Sequence, residues 1–140
     1  MSQSGVVRKR QRGDVNMAAE GIIILAHGSK RKSTNRVAKV FRQIVSAAFP
    51  GKLVEAAYLQ LSKPTLERSV EKLNLVGVTK ITIVPLFLFD GVHVTRDIPS
   101  LIAAVENCYP QIEFILTSHL GADRRIAEIL IDRISSAELR

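Results

Sequence analysis

Residues 21–29 read Gly-Ile-Ile-Ile-Leu-Ala-His-Gly-Ser, a short apolar run followed at once by a histidine and a glycine. A continuous apolar run rich in isoleucine is typical of a β-strand that is buried on both faces of its sheet. Parallel sheets bury their strands in this way, because helices cover both faces. The stretch therefore predicts a buried parallel strand over Gly21–Ala26, with His27 directly beyond its carboxyl end.

Strand-like and helix-like segments alternate through the rest of the chain. Further apolar stretches predict strands at residues 53–59, 80–86 and 112–117, with helical patterns between and after them. This βαβαβαβα order predicts an α/β fold: a flavodoxin-like three-layer sandwich with a four-stranded parallel sheet of order 2-1-3-4 and helices on both faces. Residues 20–140 are expected to form a single domain.

Local signals predict where the helices begin. Ser33 or Thr34 is a candidate cap for the first helix, and Pro64 suits the first turn of the second helix. Pro99 is expected to open the third helix, after a long loop over residues 87–97. That loop would carry His93 beyond the third strand.

Two histidines are expected at the edge of the sheet where a ligand would bind. In open α/β sheets, ligands occupy the crevice beyond the carboxyl ends of the strands where the strand order reverses, here between strands 1 and 3. His27 follows strand 1 and His93 follows strand 3. Two imidazoles in one crevice can hold a divalent ion and accept protons. Gly28 and Gly91 beside them would allow tight turns and the close approach of a flat ligand.

Each of these histidines could instead have an ordinary structural role. His27 could donate to a backbone carbonyl at the end of its strand, and His93 could be a solvated loop side chain. His119 follows the fourth strand, one strand farther from the crevice, and is a weaker candidate. A phosphate-binding turn or a nucleophile at Ser29 is disfavoured, since neither the Gly-x-Gly-x-x-Gly nor the Gly-x-Ser-x-Gly pattern is present.

The composition argues against several other classes of protein. A single cysteine, Cys108, allows no internal disulfide and no cysteine-based metal cluster, and it favours a reducing, cytoplasmic location. No apolar run approaches the ~20 residues of a membrane-spanning helix, so no membrane partner is expected. Nucleic acid is also disfavoured as a partner, because few aromatic side chains and no known recognition motif accompany the basic residues.

The formal net charge is +7, and the positive charge is concentrated near the start of the chain. Residues 1–19 include an Arg-rich, acid-poor stretch and are expected to be a flexible basic tail, with organelle import as an alternative interpretation. Basic residues without any acidic one recur through residues 30–42. Lys39 and Arg42 fit a solvated helix face, whereas Lys30 and Arg31 lie at the mouth of the crevice and would attract a carboxylate-rich ligand.

Four segments together carry a family resemblance that spans residues 21–136. They are Leu25-Ala-His-Gly-Ser-Lys-Arg31, Ala57-Tyr-Leu-Gln-Leu-Ser-Lys-Pro64, Val84-Pro-Leu-Phe-Leu-Phe-Asp-Gly-Val-His-Val-Thr-Arg-Asp-Ile-Pro99 and Gly121-Ala-Asp-Arg-Arg-Ile126. The third is the most specific, since a strand followed by Gly-x-His and then Asp-Ile-Pro is distinctive. In these segments the chain resembles the class II chelatases of tetrapyrrole biosynthesis, in particular the small sirohydrochlorin chelatases of the CbiX type.

The resemblance implies a lyase-type enzyme that inserts a divalent metal ion into sirohydrochlorin without ATP and with release of two protons. Cobalt is the metal expected first, with iron or nickel as alternatives, and the metal is a substrate rather than a permanently bound cofactor. The resemblance also implies a homodimer. His27 and His93 match the two active-site histidines of the family. Relatives often have Glu at the position of Gln60, so a third metal ligand there would be uncharged.

The residues around the crevice suit a flat apolar macrocycle with carboxylates on its rim. Leu86, Phe87 and Phe89 would pack on the ring, and Asp97 would orient His93 or Arg96, or cap the helix near Pro99. The substrate-binding residues expected from the resemblance are Ser29, Lys30, Arg31, Phe87, Gly91, Thr95 and Arg96. The alternative function is a non-enzymatic carrier of metal or tetrapyrrole that uses the same crevice.

Overall fold

The computed structural model describes residues 20–138, and the expected tail over residues 1–19 lies outside this range. Strands and helices alternate along the described chain as the apolar pattern predicts. In chain order the elements are β1 (Glu20–Ala26), α1 (Lys32–Ala48), β2 (Leu53–Tyr58), α2 (Leu66–Leu75), β3 (Lys80–Pro85), a π-helical turn (His93–Asp97), α3 (Ile98–Cys108), β4 (Glu113–Leu116) and α4 (Arg124–Glu138).

The four strands form one parallel sheet of order β2-β1-β3-β4. At the carboxyl end of β1, Ala26 is paired with Tyr58 of β2 and Leu25 with Pro85 of β3. The predicted fold class and strand order are therefore confirmed, and the strand ends differ from the predicted ones by at most one residue. The reversal of strand order lies between β1 and β3, directly below His27.

The isoleucines of β1 divide between the two faces of the sheet because successive side chains of a strand point to opposite sides. Ile23 and Leu25 are fully buried in a large cluster to which α2 and α3 contribute. Ile22 and Ile24 pack on the other face, where Val45 of α1 covers them. The sheet thus has helices on both faces, in three layers.

Two predicted helix starts are wrong. Helix α1 begins at Lys32 after Arg31, without a side-chain cap, so Ser33 and Thr34 lie inside the helix. Helix α2 begins at Leu66, and the hydroxyl of Thr65 caps it by accepting the Arg68 N–H at 3.3 Å. A hydroxyl at the cap satisfies one of the free N–H groups of the first turn, which places Pro64 before the helix instead of within it.

The long loop predicted over residues 87–97 is shorter than expected. A π-helical turn over His93–Asp97 leads without a break into α3, in which Pro99 lies near the first turn. The Ile98 N–H donates to the carbonyl of His93, five residues earlier. Proline has no N–H and clashes with the carbonyl four residues before it, so a wider turn ahead of Pro99 relieves that conflict.

Several apolar side chains remain exposed on α1 and α4. Ile44 is 60% exposed, and Val37, Val40 and Phe41 of the same helix are exposed as well. On α4, four large aliphatic side chains are at least half exposed: Ile129, Leu130, Ile131 and Ile134.

Among the helices that the structure describes, none combines the length and apolar character needed to cross a membrane.

Candidate functional site

The two predicted histidines meet at the carboxyl edge of the sheet. His27 follows β1 directly, and its carbonyl accepts the Gln60 N–H at 3.0 Å from the loop after β2. His93 opens the π-helical turn after β3. Their Nε2 atoms lie 3.2 Å apart, and their rings meet edge to face with centroids 4.7 Å apart. The topology predicted this juxtaposition, although the two residues are far apart in sequence.

The Nδ1 atom of each histidine has an acceptor oxygen beside it. His27 Nδ1 is 3.1 Å from the Gly28 carbonyl oxygen, and His93 Nδ1 is 2.8 Å from Asp97 Oδ2. Because a carbonyl and a carboxylate only accept hydrogen bonds, we assign the proton of each ring to Nδ1. Each Nε2 atom then presents a lone pair to the other. Two lone pairs this close repel each other unless a cation, either a proton or a metal ion, lies with them.

The separation of the Nε2 atoms suits two ligands of one metal ion. With metal–nitrogen bonds of about 2.1 Å, nitrogen atoms 3.2 Å apart subtend about 100° at the metal, between the octahedral and tetrahedral values. Within residues 20–138, no group of three or more His, Cys, Asp or Glu side chains is arranged to hold a metal. The described chain therefore offers no third side chain of these types to an ion held by the histidine pair.

The amide side chain of Gln60 lies beside the histidine pair. Its amide Nε2 lies 3.3 Å from His27 Nε2, where the amide N–H donates to the ring. Rotation of the amide would turn its oxygen toward the same point. The structure thus brings all three predicted metal ligands, His27, His93 and Gln60, to one place.

Asp97 orients His93, which was one of the three roles considered for it. Its Oδ2 accepts from His93 Nδ1, and its Oδ1 lies 3.7 Å from Arg96 Nε. Asp97 makes no side-chain capping hydrogen bond at the start of α3. The π-helical turn places positions 93 and 97 on the same side of the chain, so the carboxylate lies beside the imidazole.

The two glycines differ in what the fold requires of them. Gly28 has φ +97°, and a Cβ atom there would lie 1.8 Å from the Gln60 carbonyl oxygen. Gly91 has no positive φ, and a Cβ atom there would meet nothing within 4 Å, so the fold does not require glycine at this position. The carbonyl of Gly91 accepts the N–H groups of Val94 and Thr95 at 3.0 Å, which starts the π-helical turn.

Some predicted substrate-binding residues are occupied in holding the loops together. The Ser29 N–H donates to Asn35 Oδ1 and Ser62 Oγ, and Ser29 Oγ accepts the Arg31 N–H at 3.0 Å. The Thr95 hydroxyl donates to the Gly91 carbonyl at 3.2 Å. Ser29 and Thr95 therefore have structural roles, whatever they contact in addition.

The other predicted substrate-binding residues differ in exposure. Phe87 is half-buried against the main core, and its ring lies 6.4 Å from that of His27 at a steep angle, so its face is only partly free. Phe89 is 79% exposed, and Lys30, Arg31 and Arg96 are exposed. Leu86 packs under α1, on the other face of the sheet from Phe87, and lines a cavity together with His27.

His119 lies apart from the histidine pair. It lines two cavities beyond β3 and β4, where its neighbours include Phe89, Asp90 and Asp123. Hydrogen bonds from Arg125 hold the pKa of Asp123 well below its usual range. The cavities that contain His119 are lined by neither His27 nor His93.

Asn35, Ser62 and Tyr58 hold the loop that carries His27, although the sequence did not predict this role. Asn35 Nδ2 donates to the Ser29 carbonyl and to Ser62 Oγ, both at 2.7 Å. The buried Tyr58 hydroxyl donates to the Asn35 carbonyl at 3.1 Å, and burial raises the pKa of Tyr58. The only available signal was that Tyr58 and Ser62 lie in one of the four segments that carry the resemblance.

Comparisons with known proteins show the family to which the chain belongs. The family model CbiX matches residues 21–137. A sirohydrochlorin cobaltochelatase of Methanosarcina barkeri is 33% identical over 124 residues, which cover 84% of this chain and 95% of the relative. A sirohydrochlorin ferrochelatase of Priestia megaterium is 32% identical over 120 residues, which cover 86% of this chain and 45% of the relative.

A solved structure is similar as well. The sirohydrochlorin chelatase SirB of Bacillus subtilis subspecies spizizenii, in complex with cobalt, has a TM-score of 0.79 at 29% identity and covers 84% of this chain, while the match covers 50% of SirB. This chain thus spans nearly all of the shorter relative and about half of the two longer ones. From the match over residues 21–137 and the shared fold, we conclude that the chain belongs to the CbiX family.

Proposed function

We propose that this chain is a sirohydrochlorin chelatase, a lyase that inserts a divalent metal ion into the macrocycle without ATP. The observation that carries the proposal is the histidine pair, whose Nε2 atoms lie 3.2 Å apart while each Nδ1 atom faces an acceptor oxygen. Such a pair holds a metal ion and can take up protons once the ion has left. The names of the relatives support sirohydrochlorin as the substrate.

The proposed reaction transfers the metal from imidazole to pyrrole nitrogen. The ion binds to Nε2 of His27 and His93, with the Gln60 amide oxygen as a neutral third ligand. As the macrocycle nitrogens take the ion, two pyrrole N–H bonds break and two protons leave. One proton goes to the Nε2 of His93 vacated by the metal, because the Asp97 carboxylate is a counter-charge for the imidazolium that forms. The second goes to His27 or to water.

Cobalt is the metal we propose first, with iron or nickel as alternatives. All three are borderline ions that imidazole binds well, and availability decides among such ions as much as affinity does. The metal is a substrate, and we propose no resident cofactor. Insertion rates for Co²⁺, Fe²⁺ and Ni²⁺, measured side by side, would rank them.

We also propose that the chain acts as a homodimer in the cytoplasm, with sirohydrochlorin as its ligand and neither nucleic acid nor membrane as a partner. This chain corresponds to half of SirB, so a second copy would supply an equal length. The exposed apolar side chains of α1 and α4 are suited to an interface. The exposed free thiol of Cys108 suits a reducing compartment.

The first test is substitution of His93→Ala. We expect metal insertion, followed by the absorbance of sirohydrochlorin with added cobalt, to be abolished while circular dichroism and thermal melting remain those of the native protein. His119→Ala removes a histidine from the same sheet edge without touching the pair and should keep full activity. Near-normal turnover of the His93 variant would refute the proposed role.

The carrier alternative rests on Gln60, which has no charge to help bind or release an ion. Tight binding of the metallated macrocycle without multiple turnovers would favour it. Repeated turnovers with excess substrate would exclude it.

A further inference from the structure

A basic cavity lies beside the histidine pair, and the proposed function leaves most of it unused. It has a volume of about 450 Å³ and is formed by the loop after β1, the first turns of α1 and the loop after β2. Five cationic side chains line it and no acidic residue does: Lys30, Lys32, Arg36, Lys39 and Lys63. Its chemistry is therefore that of an anion site.

The wall of this basic cavity is held by a hydrogen-bonded network. Asn35 and Ser62, which line it, bond to each other at 2.7 Å and both contact the backbone of Ser29. Tyr58, 2% exposed, supports Asn35 from below through its hydroxyl. The cations thus surround a preformed polar surface that is tied to the loop carrying His27.

The positive charge of the cavity is not neutralised within the described chain. Over residues 20–138, none of its five cations takes part in an ion pair. Lys39 also lines an adjoining cavity together with Glu55, whose carboxylate pairs with Lys72 at 3.0 Å. Uncompensated like charges repel one another, and a bound anion removes that repulsion.

The basic cavity shares part of its lining with a cavity beside His27. A second cavity, of about 360 Å³, is lined by His27, Gly28, Val37 and Leu86, and it shares Asn35 and Tyr58 with the basic one. The His27 imidazole, an apolar surface and five cations therefore lie next to one another at this edge of the sheet. This arrangement matches an apolar ring with acid groups on its rim.

We propose that the basic cavity binds the rim carboxylates of the macrocycle, with Arg36 and Lys39 of α1 as its outer ligands. This proposal rests on the proposed function, since it names the subsite that holds one edge of the same substrate. It also changes the interpretation of Lys39, which the sequence alone placed on a solvated helix face. Arg42, one turn farther along α1, lies outside the cavity and contacts the Val54 carbonyl.

The test is the double substitution Arg36→Gln and Lys39→Gln. Both side chains are exposed and glutamine is a good helix former, so α1 should remain intact. We expect the dissociation constant for metal-free sirohydrochlorin, measured by absorbance titration, to rise about tenfold, with a weaker dependence on salt. In steady-state insertion, KM should rise similarly while kcat stays within about twofold.

The matched control removes two charges elsewhere. Lys52→Gln with Lys80→Gln lowers the net charge equally at the amino-terminal edge of the sheet, opposite the edge that carries the cavity, and should bind sirohydrochlorin as the native protein does. If both double variants weaken binding alike, net charge explains the effect and the cavity assignment fails. If the Arg36 and Lys39 variant binds normally, the assignment fails while the proposed function stands.

Two further measurements test whether the native protein uses sirohydrochlorin at all and whether the cavity holds only small anions. Native protein that neither binds nor metallates sirohydrochlorin would overturn the proposed function and the cavity assignment together. Amide NMR distinguishes a small-anion site: the assignment fails if inorganic phosphate shifts the Ser29 and Ser62 resonances while saturating sirohydrochlorin does not. Shifts of both resonances by sirohydrochlorin, lost in the double variant, would support it.

Discussion

The imidazoles of His27 and His93 face each other at 3.2 Å, yet their surroundings differ. His93 donates to a carboxylate at 2.8 Å, whereas His27 donates to a backbone carbonyl at 3.1 Å and has the Gln60 amide beside its Nε2. A carboxylate stabilises a ring that carries two protons more than a carbonyl does. We therefore assign proton uptake to His93 and a larger share of metal binding to His27.

The substitution Asp97→Asn tests this division of roles. Asparagine keeps an acceptor for His93 Nδ1 but removes the negative charge, so we expect kcat to fall about tenfold and KM for the metal to stay within about twofold. The measurement is the steady-state rate of Co²⁺ insertion at one fixed pH, from which kcat and KM for the metal are obtained. Asp90→Asn, in the same connection but away from the pair, is the control. An unchanged kcat for Asp97→Asn would contradict the assignment.

The substitution Gln60→Glu tests the third ligand position. A carboxylate near His27 Nε2 should tighten Co²⁺ binding by about tenfold, measured by calorimetry, because it adds a charged oxygen ligand. Gln111→Glu, on the surface near Asn74, adds the same charge without reaching the site. Equal affinities for both variants would show that the side chain at position 60 does not reach the ion.

At the scale of elements, three connections assemble the site. The loop after β1 provides His27, the loop after β2 provides Gln60 and Ser62, and the π-helical turn after β3 provides His93 and Asp97. Backbone hydrogen bonds join the first two loops, since the Leu59 and Gln60 N–H groups donate to the Ala26 and His27 carbonyls. A change at the contact between these loops should therefore alter both stability and metal binding.

Gly28→Ala is the substitution that tests this contact. The new Cβ would lie 1.8 Å from the Gln60 carbonyl oxygen at φ +97°, so we expect a loss of about 2–4 kcal/mol in the free energy of unfolding. Urea denaturation measures it. Gly91→Ala, with ordinary φ and open space, should change stability by less than about 0.5 kcal/mol. Similar effects of the two substitutions would argue against the close approach at Gly28.

At the scale of the whole molecule, the exposed apolar faces of α1 and α4 indicate association. Isolated apolar side chains on a surface are common, but those on α1 recur at helical spacing and form one stripe, Val37, Val40, Phe41 and Ile44. A second copy would cover such a stripe. Since α1 also borders the basic cavity, association would lie close to the substrate site.

Ile44→Lys tests this proposal. Analytical ultracentrifugation should find the native protein as a dimer at micromolar concentration and the variant as a monomer, because a buried unpaired ammonium group disfavours an interface. Leu75→Lys, at an exposed site on α2, should leave the dimer intact. A native protein that sediments as a monomer would refute the dimer.

The strands, their order and the sheet edge where the histidines meet could be predicted from the pattern of apolar residues. The isoleucine run of β1 and its counterparts are long and apolar enough to predict buried parallel strands, and the reversal of strand order brings His27 and His93 to one crevice. The family resemblance was likewise readable from four local segments.

The remaining features could not be predicted, because each depends on backbone geometry or on contacts that form only in the folded chain. We assigned the histidine protons from the positions of the Gly28 carbonyl and the Asp97 carboxylate, and the sequence pattern does not predict these positions. The π-helical turn arises from the conflict between Pro99 and the preceding backbone, which a loop prediction overlooked. Lys39 lines the basic cavity because the loop after β2 folds against α1, a contact between segments more than 20 residues apart.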